Sequence, residues 1–299
     1  MAYPTVPGPY GFKPLNLIGG QVFAGSTRNL AIQYGFATNI FYGDVVGINR
    51  GFITRTTVTT GGTSTTGAAG NGITGIFLGC SFTNPVTKQK TFSQYWPAGT
   101  LAGDAQAVVC DDPDTLFKAA MVTTQGGTAI GSAATAMIGL NAAGSDLAGS
   151  INTGDSYNAI LASSAANTGT LPFRIVDLVR ETTIVNTATL SSGGGSTSLV
   201  CTGLTGTLPV GTEVGYISAN GQYTGTGSWV SSAVTGTGSQ TVTINSQAVT
   251  VNSPTATAST AITIPAASTI VFTQYTEVIV KLNFGNHEYY NATASAATL

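Results

Sequence analysis

Pro172-Phe173-Arg174-Ile175-Val176-Asp177-Leu178-Val179-Arg180 carries charged residues at Arg174 and Asp177 between apolar ones. This patterning marks a half-buried strand with one face toward a core and one toward solvent. Glu277-Val278-Ile279-Val280-Lys281-Leu282-Asn283 repeats it about a hundred residues later. Between Thr182 and Thr276 the only charged residue is Glu213. Strand-like runs continue there all the same, in Glu213–Ser218, Gln240–Ile244, Ala248–Val251 and Thr269–Phe272. Low charge alone can signal disorder, but this segment is rich in Val, Ile and Thr, which disordered segments lack. The two charged strands resemble each other more than either resembles what separates them. That predicts an all-β protein with a β-barrel or sandwich-like core of residues 18–183 plus 273–290 and a small Thr/Gly/Ser-rich β domain, 184–272, inserted into it. Two consecutive domains with a boundary near 190 are the competing arrangement.

Working outward, residues 1–17 hold Pro4, Pro7, Pro9 and Pro14 among Tyr and Gly. Proline at that spacing excludes helix and favours an extended N-terminal arm, which is expected to order only against a partner. From Gly20 short β-type runs begin, Asn29–Tyr34 and Asp44–Ile48, followed by Ile73–Cys80, Thr91–Trp96 and Gln106–Cys110. Residues 56–72 are almost wholly Thr, Gly, Ser and Ala and read as a mobile hairpin or loop. Patterning is weak over 111–172, where Tyr157, Ile160 and Leu161 suggest a helix around 155–165. Residues 291–299 read as a flexible tail.

Composition narrows the function classes. The chain has 299 residues, of which 42% are hydrophobic and only 7% charged, against about 25% charged in a typical soluble domain. With 39 glycines, this is a loop-rich β composition. A formal charge of −2 provides no basic face for a phosphate backbone, so nucleic acid is not an expected partner. Apolar runs fall far short of the roughly 20 residues needed to cross a bilayer, so no membrane role is expected. The start lacks the basic and apolar regions of a secretory signal, which points to synthesis in a cytoplasm. Cys80, Cys110 and Cys201, odd in number and widely spaced, fit neither a disulfide framework nor a zinc site and read as small buried residues.

Residues able to do chemistry are few. His287 is the single histidine, and any Ser-His-Asp or Cys-His arrangement would have to use it. It reads as a structural surface residue among Asn286, Glu288, Tyr289 and Tyr290. Asp111-Asp112-Pro113-Asp114 packs three carboxylates into four positions, which a hard cation could use. The run lacks the ligand rhythm and glycine of an EF-hand loop and reads as a turn after a strand, with no metal. A glycosidase would need two carboxylates converging on one cleft, and no pair is indicated; no phosphate-loop motif with its lysine occurs. Phe92, Tyr95 and Trp96 before Pro97 offer either a sugar-stacking platform or a corner closing a β core, the second being favoured. No cofactor is expected. An uncharged, Thr-rich β surface behind an extended arm suits permanent assembly better than catalysis.

Several stretches together carry a resemblance. Tyr10-Gly11-Phe12-Lys13-Pro14, Gly43-Asp44-Val45-Val46, Gly75–Thr83, Phe92–Thr100, Val108–Phe117, Phe173–Leu178 and Val280–His287 resemble tailed-bacteriophage virion proteins of the head structural or capsid decoration (cement) type. The resemblance spans most of 10–183 and 277–290 and lapses across 184–272. It implies a non-enzymatic protein on the outer face of an icosahedral head, bridging neighbouring copies of the major capsid protein and self-associating as a homotrimer. The arm is then the expected capsid contact, with Tyr3, Pro4, Pro7, Tyr10, Phe12 and Pro14 as candidate side chains. The alternative is a head-fibre or tail-associated protein that adheres to host surface glycans through 184–272.

Overall fold

The computed structural model describes residues 6–56, 58, 72–191, 197–217, 220–245, 264 and 267–289. The protein is all-β, and among these residues the helical elements are short 3-10 turns. None is long and apolar enough to cross a membrane. The chain divides into two compact units. One comprises Pro7–Ala129, Gly139–Asp177 and Val278–Leu299; the other comprises Leu178–Glu277 with Ile130–Ile138 and Met1–Val6.

In chain order the strands of the first unit are β1 (Lys13–Leu17), β2 (Arg28–Ala31), β3 (Val45–Asn49), β4 (Phe52–Arg55), β5 (Gly75–Thr83), β6 (Lys90–Ser93), β7 (Gln106–Cys110), β8 (Thr115–Val122), β9 (Asn141–Ala142), β10 (Gly144–Ser145), β11 (Ala159–Leu161) and β12 (Phe173–Leu178). The second unit holds β13 (Ile184–Leu190), β14 (Ser198–Leu204), β15 (Glu213–Ile217), β16 (Tyr223–Trp229), β17 (Gly238–Thr243) and β18 (Thr269–Gln274). The chain returns to the first unit through β19 (Glu277–Leu282), which lies beside β12.

Two sheets form the first unit. One runs β2-β7-β5-β3-β4, with β6 paired to β5, and packs Val46, Ile53, Phe77, Val109 and Trp96 into a common core. The other runs β10-β11-β8-β19-β12-β9, with β1 paired to β8. The expected helix around 155–165 is instead β11 and a 3-10 turn at Ala162–Ser164. Ile160 and Leu161 are both buried because β11 lies between β8 and β10. Apolar neighbours of this kind mimic helical spacing over so short a run.

The second unit is a six-stranded sheet, β16-β15-β18-β13-β14-β17, that closes almost completely on itself. Val230, just after β16, bridges Ile244, just after β17. Trp229 N–H donates to the Asn245 side-chain oxygen at 2.9 Å, and the Trp229 carbonyl accepts from Asn245 N–H at 2.9 Å. Alternate residues point inward, so Leu190, Leu199, Cys201, Val214, Val242, Ile270 and Phe272 fill the barrel, as expected where so few strands leave room only for side chains. The lone charge of this stretch has a definite task. Glu213 accepts hydrogen bonds from Thr135 N–H at 2.9 Å and its hydroxyl at 2.6 Å, fixing Ile130–Ile138 to the barrel. Ser132 N–H donates to the Val210 carbonyl at 3.2 Å. Gly211, with φ +88°, sits so close to the Ser132 carbonyl that a Cβ there would collide with it.

Candidate functional site

The N-terminal segment was the sequence-based candidate, and the structure divides it. Tyr3 and Pro4 lie outside the described residues. Pro7 is exposed, while Tyr10 and Pro14 are half-buried. Phe12 is completely buried, stacked on Phe173 with ring centroids 4.6 Å apart. A side chain so enclosed belongs to the core and offers no surface to a capsid subunit. Lys13–Leu17 does not wait for another molecule either: it pairs antiparallel with β8 of its own chain. Pro14, which has no N–H to give, is tolerated because β1 lies off the main path of the sheet, and the register slips between Pro14 and Leu17.

Two glycines let the segment enter the fold. Gly11 and Gly43 both have positive φ, +80° and +89°, and their backbones cross in contact. A Cβ on Gly43 would stand 2.8 Å from the Phe12 nitrogen, which donates to the Gly43 carbonyl at 3.0 Å. Gly11 N–H donates to the Asn158 carbonyl at 3.1 Å.

Beneath this crossing lies an ionic cluster. Asp44 is fully buried and accepts from Phe41 N–H at 2.8 Å, from the Ser156 hydroxyl at 2.6 Å and from Arg55 Nε at 3.1 Å. Arg55 also pairs with Asp146 and donates to the Leu147 carbonyl at 3.0 Å. The cluster thus ties the β3–β4 hairpin to the 146–158 segment. Burial pushes the Asp44 carboxyl above the ordinary carboxylate range against the opposing pull of Arg55, and does the same at Asp146. Ser156, fully buried and hydrogen-bonded to a carboxylate rather than an imidazole, has neither the base nor the access of a nucleophile.

The segment emerges as a hairpin. Leu17 N–H donates to the Gln21 carbonyl at 2.8 Å, Asn16 bridges Val22, and the turn passes through Gly19 and Gly20. Leu15, Ile18 and Val22 are 41%, 46% and 81% exposed on it. At its base the Lys13 ammonium lies 5.1 Å from the Tyr10 ring centre and 3.9 Å from Asp155.

The remaining sequence candidates are structural in their surroundings. His287 is buried, not at the surface: its segment runs parallel to Ile73, and its Nδ1 accepts from Tyr289 N–H at 3.3 Å. Burial lowers its pKa below the ordinary value, with Asp111 pulling the other way. The aspartate run is a turn in which Asp112 accepts from Asp114 N–H at 2.9 Å. Asp111 is taken up by Arg28 at 2.6 Å and by the Tyr289 hydroxyl. Among the described residues no group of three or more His, Cys, Asp or Glu side chains is placed to hold a metal ion. The three cysteines are buried and free; burial pushes the Cys80 thiol up to about 12 and Cys201 to about 11, far from the thiolate a nucleophile needs. Trp96 is in the core, edge-on to Phe82, with its indole N–H bonded to the Phe36 carbonyl at 3.2 Å.

Comparison with protein-family models, with curated proteins and with solved structures finds no match to this chain.

Proposed function

We propose that the protein is a non-enzymatic virion component that decorates and stabilises an icosahedral phage head by bridging neighbouring capsid subunits. The observation that carries this reading is the hairpin Lys13–Val22, which is fastened at its base by Phe12 and the Gly11–Gly43 crossing. Its outer part presents Leu15, Ile18 and Val22 to solvent. Large apolar side chains exposed together on one hairpin, in a chain with so few charges, are suited to burial against another protein. The family resemblance of the flanking stretches supplies the kind of partner, the major capsid protein, and a homotrimer as the assembly state. The contact surface is therefore the hairpin rather than the proline-spaced residues before it.

The test is reconstitution of heads lacking the protein, imaged by electron cryomicroscopy. Wild-type chain is expected at icosahedral positions, with the hairpin against a neighbouring subunit. Ile18→Asp/Val22→Asp is expected to keep the wild-type melting temperature and to lose occupancy. Presence only at the tail vertex, or full occupancy by the double variant, would overturn the reading.

A further inference from the structure

On the first unit, an open groove of about 530 Å³ lies across the β5–β6–β7 face, lined by Tyr42, Leu78, Gly79, Phe92, Gln94 and Val108 among others. That volume falls in the ~300–1,000 Å³ range of small-molecule sites. Phe92 stands 82% exposed on β6, which among the described residues pairs with β5 alone. Its ring is thereby an accessible apolar surface on which a ligand could pack. The floor is partly bare backbone, because Gly79 interrupts the strand at a β-bulge between Phe77 and Gly79. A Cβ on Gly79 would stand 3.1 Å from the Ser93 carbonyl, so the close approach at this glycine is that of β6.

The polar groups around the groove are ordered and nearly uncharged. Gln94 Nε2 donates to Asp155 at 3.1 Å, which leaves the amide oxygen as an acceptor. Asp155 is itself held by Lys13 at 3.9 Å. The Tyr42 phenol, raised above its ordinary value by burial and by Asp155, is a neutral hydroxyl. No residue lining the groove carries a charge, and the one carboxylate at the rim is compensated by its lysine.

We propose that this groove binds a neutral saccharide, with the C–H face of a sugar ring packed on Phe92 and its hydroxyls bonded to Gln94 and the Tyr42 hydroxyl. Aromatic surface beside amide, phenol and carboxylate matches a ligand that is apolar on its ring faces and hydrogen-bonding at its edges. The absence of any lining charge selects neutral sugars over phosphorylated or acidic ones. The inference is independent of capsid binding, since it uses the face around β6 and not the Leu15–Val22 tip. It also places saccharide recognition outside residues 184–272.

The experiment uses the full chain on immobilised neutral and sialylated glycans, followed by calorimetric titration of the strongest neutral binder. Binding to neutral glycans is expected. Phe92→Ala, whose ring is solvent-facing, should keep the wild-type melting temperature and weaken affinity about tenfold or more, and Gln94→Ala should weaken it as well. Three results would each overturn the assignment: no glycan bound, sialylated glycans alone bound, or affinity unchanged in both variants. Conversion of an oligomer to a monomer by Phe92→Ala in sedimentation would instead show that a second copy of the chain occupies the groove.

Discussion

Arg55→Met removes the only cation from the cluster under the N-terminal crossing. Asp44 would keep Phe41 N–H and Ser156 but lose its guanidinium, and Asp146 would lose its partner. Breaking a buried pair from one side costs about 3–5 kcal/mol because it strands the remaining charge. The side chains of Arg55 and Asp146 are 16% and 14% exposed while that of Asp44 is fully buried, which places the cost at about 3 kcal/mol, near the lower end of that range. For a domain of this size that is a drop of about 6–12 °C in melting temperature. Calorimetry is the suitable assay, since two units can give two transitions. The deficit should also depend on pH in a definite direction. Asp44 and Asp146 already have folded pKa values above their unfolded ones. Such groups favour the folded state fully below the unfolded pKa, and that contribution is lost as pH rises through the folded value. Removing Arg55 raises both folded values further, so the gap to wild type should be widest at neutral pH and narrow on acidification toward about pH 4. The triple variant Arg55→Met/Asp44→Asn/Asp146→Asn should recover much of the loss, since no charge is left stranded. A loss under about 1 kcal/mol, or one that does not change with pH, would show that the cluster is hydrated and the reasoning wrong.

Gly43→Ala should cost about 3 kcal/mol or more, combining a left-handed backbone with a Cβ driven onto the Phe12 nitrogen. Gly20→Ala, also left-handed but with open space around it, should cost only the backbone share of about 1–2 kcal/mol, and equal losses in urea titrations would contradict the crossing. His287→Leu tests the buried imidazole. Its depressed folded pKa gives a contribution that is present above the unfolded value of about 6.5 and lost as pH falls through the folded one. The stability of wild type relative to the variant should therefore decline between about pH 7 and 5, and a difference that is flat across that range would place the ring in water.

Parts of this structure were legible in sequence because their strands have one wet face. β12, with Arg174 and Asp177 exposed between buried or half-buried neighbours, is of this kind; β19 shows the same charge pattern in sequence, yet its Glu277 and Lys281 are buried with most of the strand because it lies between β8 and β12. β8, Thr115-Leu116-Phe117-Lys118-Ala119-Ala120-Met121-Val122, gave no such signal although it lies at the centre of its sheet. It is buried almost throughout on both faces, so nothing alternates, and its small alanines make room for neighbours rather than announce a strand. β14 and β16 were hidden differently: Thr and Gly on the outside of a small barrel look like loop composition until the inward Leu199, Cys201 and Leu204 are seen together. The hairpin and the ionic cluster depend on pairs far apart in the chain. Arg55 and Asp146 are separated by 91 positions, and no local period records that they meet.

Scarcity of charge links these observations. With ten basic and twelve acidic residues in the whole chain, a charged side chain spent on the interior is one fewer on the surface, and several are spent inside or in local fastenings. Asp44, Arg55 and Asp146 lock the entry of the N-terminal segment, and Arg28 with Asp111 holds the aspartate turn. Glu288 accepts from Thr74 and from Ile48 N–H at 3.2 Å, while Glu213 secures Ile130–Ile138. Asp104, exposed, gathers Thr83 N–H, the Thr83 hydroxyl and Lys90, which together hold its pKa well below the ordinary carboxylate value. Exposed charges remain at positions such as Arg50, Lys88, Arg174, Asp177, Arg180 and Glu181, of both signs, among a larger number of exposed uncharged residues. A surface of that kind has little long-range field to steer a partner, and salt screens it little. Its contacts depend on area and fit, the terms on which the proposed association along the hairpin and the proposed stacking of an uncharged ring on Phe92 both rest.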